Sequence, residues 1–135
     1  MEFLDTNIIL RYLTRDDPAK AQRCYALFQQ VKRKQIRLVT SESVLAEVVY
    51  VLSSRSLYNQ PRENVRTLLL PIISLPGLKL SNRRAFFRAL DIYASTHLDF
   101  EDCLSIAHME RLKVNTILSY DQDFDRVKGI QRREP

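Results

Sequence analysis

The chain has 135 residues, 45% hydrophobic and 27% charged, the composition of one ordinary globular domain, 1–135, with enough apolar side chains for a real core. No apolar run reaches a membrane span, no secretory leader pattern opens the N-terminus, and two glycines cannot build a phosphate-cradling loop, so a cytoplasmic protein without a glycine-rich nucleotide site is expected. The net charge of +5 favours a polyanionic partner such as nucleic acid, although each basic cluster alone (32–34, 83–84, 132–133) reads as a solvated face or tail.

Residues 2–4 read as a short buried strand, and Thr6 onward as a helix, which puts Asp5 at the carboxyl end of the strand. Open α/β sheets bind their ligands there. Asp17-Pro18 starts a second helix, with Asp as N-cap and Pro at the first helical position. Ala21, Cys24, Leu27, Phe28 and Val31 then recur at helical spacing to about Lys34. Residues 36–40 form a β-branched run, the second strand. Ser41 caps a third helix whose apolar face is Val44, Leu45, Val48, Val51 and Leu52, with Glu47 inside this greasy segment. Tyr50 and Tyr58 are expected to lend ring area to the core while keeping their hydroxyls wet.

Pro61 opens a fourth helix, which Pro71 must kink or end because it removes a helical hydrogen bond. Pro76-Gly77 is a turn into a third strand at 78–80. Ser81 or Asn82 caps the next helix, residues 97–100 break the pattern, and 101–112 resume as helix. A strongly apolar strand follows at 114–118, then the acidic stretch Ser119-Tyr120-Asp121-Gln122-Asp123-Phe124-Asp125, a last strand near Ile130 and a basic tail. Short apolar strands alternating with helices imply an α/β fold, a three-layer α/β/α sandwich around a mainly parallel sheet of four to five strands. Cys24 and Cys103 fall in apolar helical patterns and are expected as reduced core thiols.

Four acidic positions stand out, each with a bland explanation. Asp5 is a common kind of helix N-cap. Glu47 is costly to bury unless paired, so a salt bridge or an exposed stripe accounts for it equally well. Asp99 and Asp102 suit the first turn of a helix and its dipole. Asp121, Asp123 and Asp125 suit a polar turn with an Asp cap. All four explanations holding together is less economical than one shared pocket, because two of these sites follow parallel strands and two come from helices facing the same sheet edge. Carboxylates packed together repel and raise one another's pKa, and a divalent cation removes the conflict. Oxygen-only ligands suit Mg²⁺ or Mn²⁺, and an acidic metal nest in a basic protein suits a nuclease.

Phe3-Leu4-Asp5-Thr6-Asn7-Ile8-Ile9-Leu10 resembles the opening motif of PIN domains, especially the VapC-type ribonuclease toxins. Leu45-Ala46-Glu47-Val48-Val49-Tyr50 is similar to their second acidic motif, 98–107 to the third, and Leu118-Ser119-Tyr120-Asp121-Gln122-Asp123-Phe124 to the fourth. The resemblance covers essentially the whole chain. It implies a Mg²⁺- or Mn²⁺-dependent RNA endonuclease with Asp5, Glu47, Asp102 and Asp121 as catalytic metal ligands. Asp99 and Asp123 are then auxiliary acids, and Thr6, Asn7 and Ser119 orient carboxylates or water. It further implies a homodimer, no membrane association, and silencing by a small VapB-like antitoxin. The fourth motif more often has Thr where Ser119 stands, and Arg111-Leu112-Lys113 replaces a usual glycine. Arg11, Arg15, Lys20 and Arg126 are candidate RNA phosphate contacts by proximity to the motifs in sequence. The rival readings are a catalytically silent PIN-like module that binds RNA or protein, and a phosphatase with Asp5 as nucleophile. The second lacks its usual acid two residues on, where Asn7 stands.

Overall fold

The computed structural model describes all 135 residues. Five strands and six α-helices alternate along the chain. Strand β1 (Glu2–Phe3) leads into α1 (Thr6–Thr14) and α2 (Pro18–Lys32), and β2 (Leu38–Val39) into α3 (Glu42–Ser53) and α4 (Arg62–Ile73). Strand β3 (Leu78–Lys79) precedes α5 (Arg83–Ser95) and α6 (Phe100–Leu112). Strand β4 (Thr116–Leu118), a 3-10 turn at Gln122–Arg126 and β5 (Gln131–Arg133) complete the chain.

Every strand pairing is parallel, as helical crossovers require. The α/β class with parallel strands flanked by helices is therefore as the sequence led us to expect. The strands run as two ladders, however. One has the order β1-β2-β3, with Glu2 opposite Leu38 and Leu38 opposite Leu78; the other joins β4 to β5, with Thr116 opposite Gln131. No ladder links β1 to β4.

One apolar cluster fills the interior. It draws Ile9 from α1, Leu45, Val48 and Leu52 from α3, Leu69 and Ile73 from α4, Phe86 and Leu90 from α5 and Cys103 from α6, all essentially without solvent access. Helix α5 packs on α4 and α6, and α3 touches α1, α4 and α6, so α3 lies at the centre of the helical contacts. The caps follow the sequence. Asp17 accepts from the Lys20 N–H at 3.1 Å ahead of Pro18, and Ser41 accepts from the Val44 N–H at 3.2 Å. Both cysteines are free and buried. No helix is long and apolar enough to cross a membrane.

Three expectations need correcting. Strand β1 is not buried: only Leu4 beyond it is, and Phe3 is 59% exposed because nothing pairs with its outer edge. The apolar strand near 114–118 is likewise exposed, with Leu118 58% accessible, so its hydrophobicity does not mark a central strand. Tyr50 lies outside the core, 70% exposed. Helix α4 ends at Ile73, two residues past Pro71, in keeping with the expected kink or end there.

Candidate active site

The first two motifs meet through a hydrogen bond. The Thr6 hydroxyl, itself buried, donates to Glu47 Oε2 at 2.8 Å across 41 residues of chain, fixing the start of α1 against the middle of α3. Glu47 is exposed, contrary to its setting in an apolar segment. Val44, Leu45, Val48 and Val49 turn inward, and the 3.6-residue period leaves Ser43, Glu47 and Tyr50 on one outward stripe. Asp5 occupies the N-cap position of α1 with extended backbone, yet its carboxylate accepts no capping hydrogen bond. The plain cap explanation therefore fails at Asp5, whose oxygens remain free beside the N-terminus of α1.

The third and fourth motifs form a second acidic group. Asp99 holds the N-cap position of α6, again without a side-chain cap, and Asp102 stands three residues on in the first turn. Asp102 is half-buried, and its carboxyl is pushed above the ordinary range. Burial is the main cause, followed by the negative charges of Asp121, Asp99, Asp123 and Glu101. The loop after β4 thus brings Asp121 and Asp123 close enough to α6 for their charges to be felt at Asp102. Asp121 does act as a cap: its Oδ1 accepts from the Asp123 N–H at 2.9 Å, and the Ser119 hydroxyl oxygen accepts from the Asp121 N–H at 3.0 Å. Arg132 anchors the loop from β5, donating to the Ser119 carbonyl at 3.0 Å and to Asp125 at 2.9 Å, which removes Asp125 from the free acids.

The chain has 21 basic side chains for 16 acids, yet none of Asp5, Glu47, Asp99, Asp102, Asp121 and Asp123 forms an ion pair. The pairs lie elsewhere: Lys20 with Asp17, Arg66 with Glu63 and Asp91, Arg88 with Glu110, His108 with Glu42, and Arg132 with Asp125 and Glu134. Uncompensated carboxylates of this kind are what a hard divalent cation takes, so the donor chemistry fits Mg²⁺ or Mn²⁺. Their spacing is open, for no three acids lie close enough together to form a metal cluster.

The remaining candidates are scattered. Asn7 is exposed on the first turn of α1. Arg11 is half-buried on α1, Arg15 borders a shallow cleft with Tyr12 and Tyr25, and Lys20 is partly neutralised by Asp17 at 4.0 Å. Arg126 lines a cleft of about 640 Å³ between α5, α6 and the segment before β5, which contains none of the candidate acids. Two residues were passed over in the sequence. Glu101 shares a groove with Glu47 and Tyr50, and Tyr50 also borders a cleft that reaches Asp99. The i, i+4, i+7 spacing of Ser43, Glu47 and Tyr50 is the signal that groups the tyrosine with the acid.

A family model described as the PIN domain matches residues 3–130. No curated protein matches the chain significantly. Among solved structures, the Mycobacterium tuberculosis VapC20 toxin, described as cleaving the sarcin–ricin loop, aligns over 93% of this chain and 93% of its own. The identity is 18% and the TM-score 0.39, a superposition too loose to bear on function.

Proposed function

The chain belongs to the PIN domain family, and from that membership we propose that it is a Mg²⁺- or Mn²⁺-dependent endoribonuclease, the toxin of a VapC-type toxin–antitoxin pair acting in the cytoplasm. The observation that carries this reading is the negative charge gathered at Asp102. A carboxyl pushed up by burial and by the like charges of Asp121, Asp99 and Asp123, none of them paired with a lysine or arginine, is an arrangement that a bound cation would relieve.

Asp5, Glu47, Asp102 and Asp121 would hold the metal, with Asp99 and Asp123 as auxiliary acids. Such an ion, when bound, supplies an acidified water and offsets charge on the phosphate oxygens. The chain's own residues carry the other tasks. Thr6 immobilises one oxygen of Glu47 and leaves the second free to turn outward. Ser119 and Arg132 hold the loop that presents Asp121. Asn7, unpaired on the first turn of α1, is placed to orient a water or a substrate oxygen. Arg11, Arg15 and Arg126 remain proposed RNA phosphate contacts, with Lys20 the weakest of the set because Asp17 shares its charge. A small VapB-like antitoxin and a second copy of the chain are the proposed partners.

One observation favours a second reading, a catalytically silent module that binds RNA: the acids are not gathered to ligand distances. Incubation of the purified protein with a structured RNA separates the two. The nuclease reading expects cleavage in Mn²⁺, none in EDTA, and a loss of about 100-fold or more in Asp5→Asn, since even groups one step removed from a metal cost roughly 10- to 100-fold. RNA bound but left intact in Mn²⁺ supports the silent module, and equal cleavage by Asp5→Asn removes Asp5 from the chemistry.

A further inference from the structure

We infer that the cleft beside Tyr50 is a subsite for an unpaired RNA base, with Tyr50 as its stacking surface and Arg55 as the contact to the adjoining phosphate; the inference rests on RNA being the substrate, as proposed above. Tyr50 is a large aromatic left 70% exposed on a helix whose other apolar residues are mostly buried, so packing does not explain it. It lies three residues after Glu47 and therefore on the same face of α3. Two hollows meet at its ring. One, about 410 Å³, is bordered by Glu47 and Glu101; the other, about 560 Å³, is bordered by Asp99, Arg55, Asn59 and Gln60. A strand passing the acids would run over Tyr50 from one hollow into the other.

The second hollow has the composition a nucleotide needs. The Tyr50 ring offers a face for stacking, which every base can use. Arg55 is exposed and forms no ion pair, so its charge is available to a phosphate. The Asn59 amide is exposed and carries both donors and an acceptor for a base edge. The backbone that carries it is held in place: the Asn59 N–H donates to the Ser54 carbonyl at 2.9 Å and the Gln60 N–H to the Leu52 carbonyl at 2.8 Å. The floor is equally rigid. Arg62 donates to the Tyr93 and Leu98 carbonyls at 3.1 and 2.6 Å and lies 4.3 Å over the Tyr93 ring, a structural use that leaves the phosphate contact to Arg55.

The test is fluorescence anisotropy with a labelled single-stranded RNA hexamer of mixed sequence, titrated with the full chain in EDTA so that no cleavage intervenes. Tyr50→Ala is expected to weaken binding by about tenfold, the scale of losing one stacked base, while Tyr50→Phe, which keeps the ring, stays within about twofold of the wild type. Arg55→Gln is expected to weaken binding and to flatten the slope of log affinity against log salt by about 0.7, the share of one phosphate contact on a single strand. Circular dichroism confirms folding of each variant. A Tyr50→Ala protein that binds like the wild type, or a wild type that binds no hexamer, overturns the inference even if the protein cleaves RNA in Mn²⁺, and leaves the exposed ring as a protein contact. Tyr50-dependent binding without cleavage keeps the subsite and removes the nuclease.

Discussion

A single carboxyl, that of Asp102, concentrates the tension in this molecule. Its folded-state pKa is raised above the ordinary 3.8 by burial and by like charges on α6 and on the loop after β4. A raised carboxyl binds its proton more tightly in the folded than in the unfolded chain, so its contribution to stability is greatest below pH 3.8 and is lost as pH rises through the raised value. Asp102→Asn has no such loss. Its melting temperature is expected to exceed the wild type's by about 1–2 °C at pH 7 without divalent cations, and the advantage to shrink towards pH 3.5. A lower melting temperature at pH 7 would mean that Asp102 is held by favourable contacts instead of standing among repelling charges. Some of this was legible in sequence: Asp99 and Asp102 in a first turn, Asp121 after a strand, and the caps at Asp17 and Ser41. An exposed stripe at Glu47 was one of two readings the sequence left open beside function; the exposure of Tyr50 was not legible, because the apolar neighbours on α3 disguise the one outward stripe.

Among the elements, the helices were the readable part and the strands were not. A helix of twelve or more residues declares its inner face through several turns of periodicity, as α3 and α5 do. A strand of two or three residues offers no period, so apolar content alone does not tell an inner strand from an open one, and β1 and β4 both lie open. The placing of short strands depends instead on contacts that no local pattern records, and for the β2–β3 ladder Gly77 is the clearest of these. Its N–H donates to the Val31 carbonyl at 3.2 Å and its carbonyl accepts from the Leu38 N–H at 2.9 Å, joining the end of α2 to the β2–β3 ladder. A Cβ there would stand 2.5 Å from the Val31 carbonyl oxygen and 2.7 Å from that of Ile36, both backbone atoms that cannot step aside. Gly77→Ala is therefore expected to destabilise the chain by about 1–3 kcal/mol in urea unfolding, the usual cost of overpacking. An unchanged midpoint would show that α2 and the ladder can part without penalty.

Taken whole, the molecule holds its acids in two groups, Asp5 and Glu47 tied through Thr6, and Asp99, Asp102, Asp121 and Asp123 around the start of α6. The division follows the sheet, whose β1-β2-β3 and β4-β5 ladders carry one strand-end acid each, Asp5 after β1 and Asp121 after β4. The order of motifs along the chain conveyed the family, and it carried no information about how closely the two ladders approach. A shared cation would give the two groups a physical reason to act together, since neither has a lysine or arginine of its own. Calorimetric titration of Mn²⁺ into the wild type, Asp5→Asn and Asp102→Asn measures this directly. One site on the wild type, weakened at least about tenfold by either substitution, is the expected result. Full-strength binding to Asp5→Asn would contradict it, because the two acidic groups would then not share an ion.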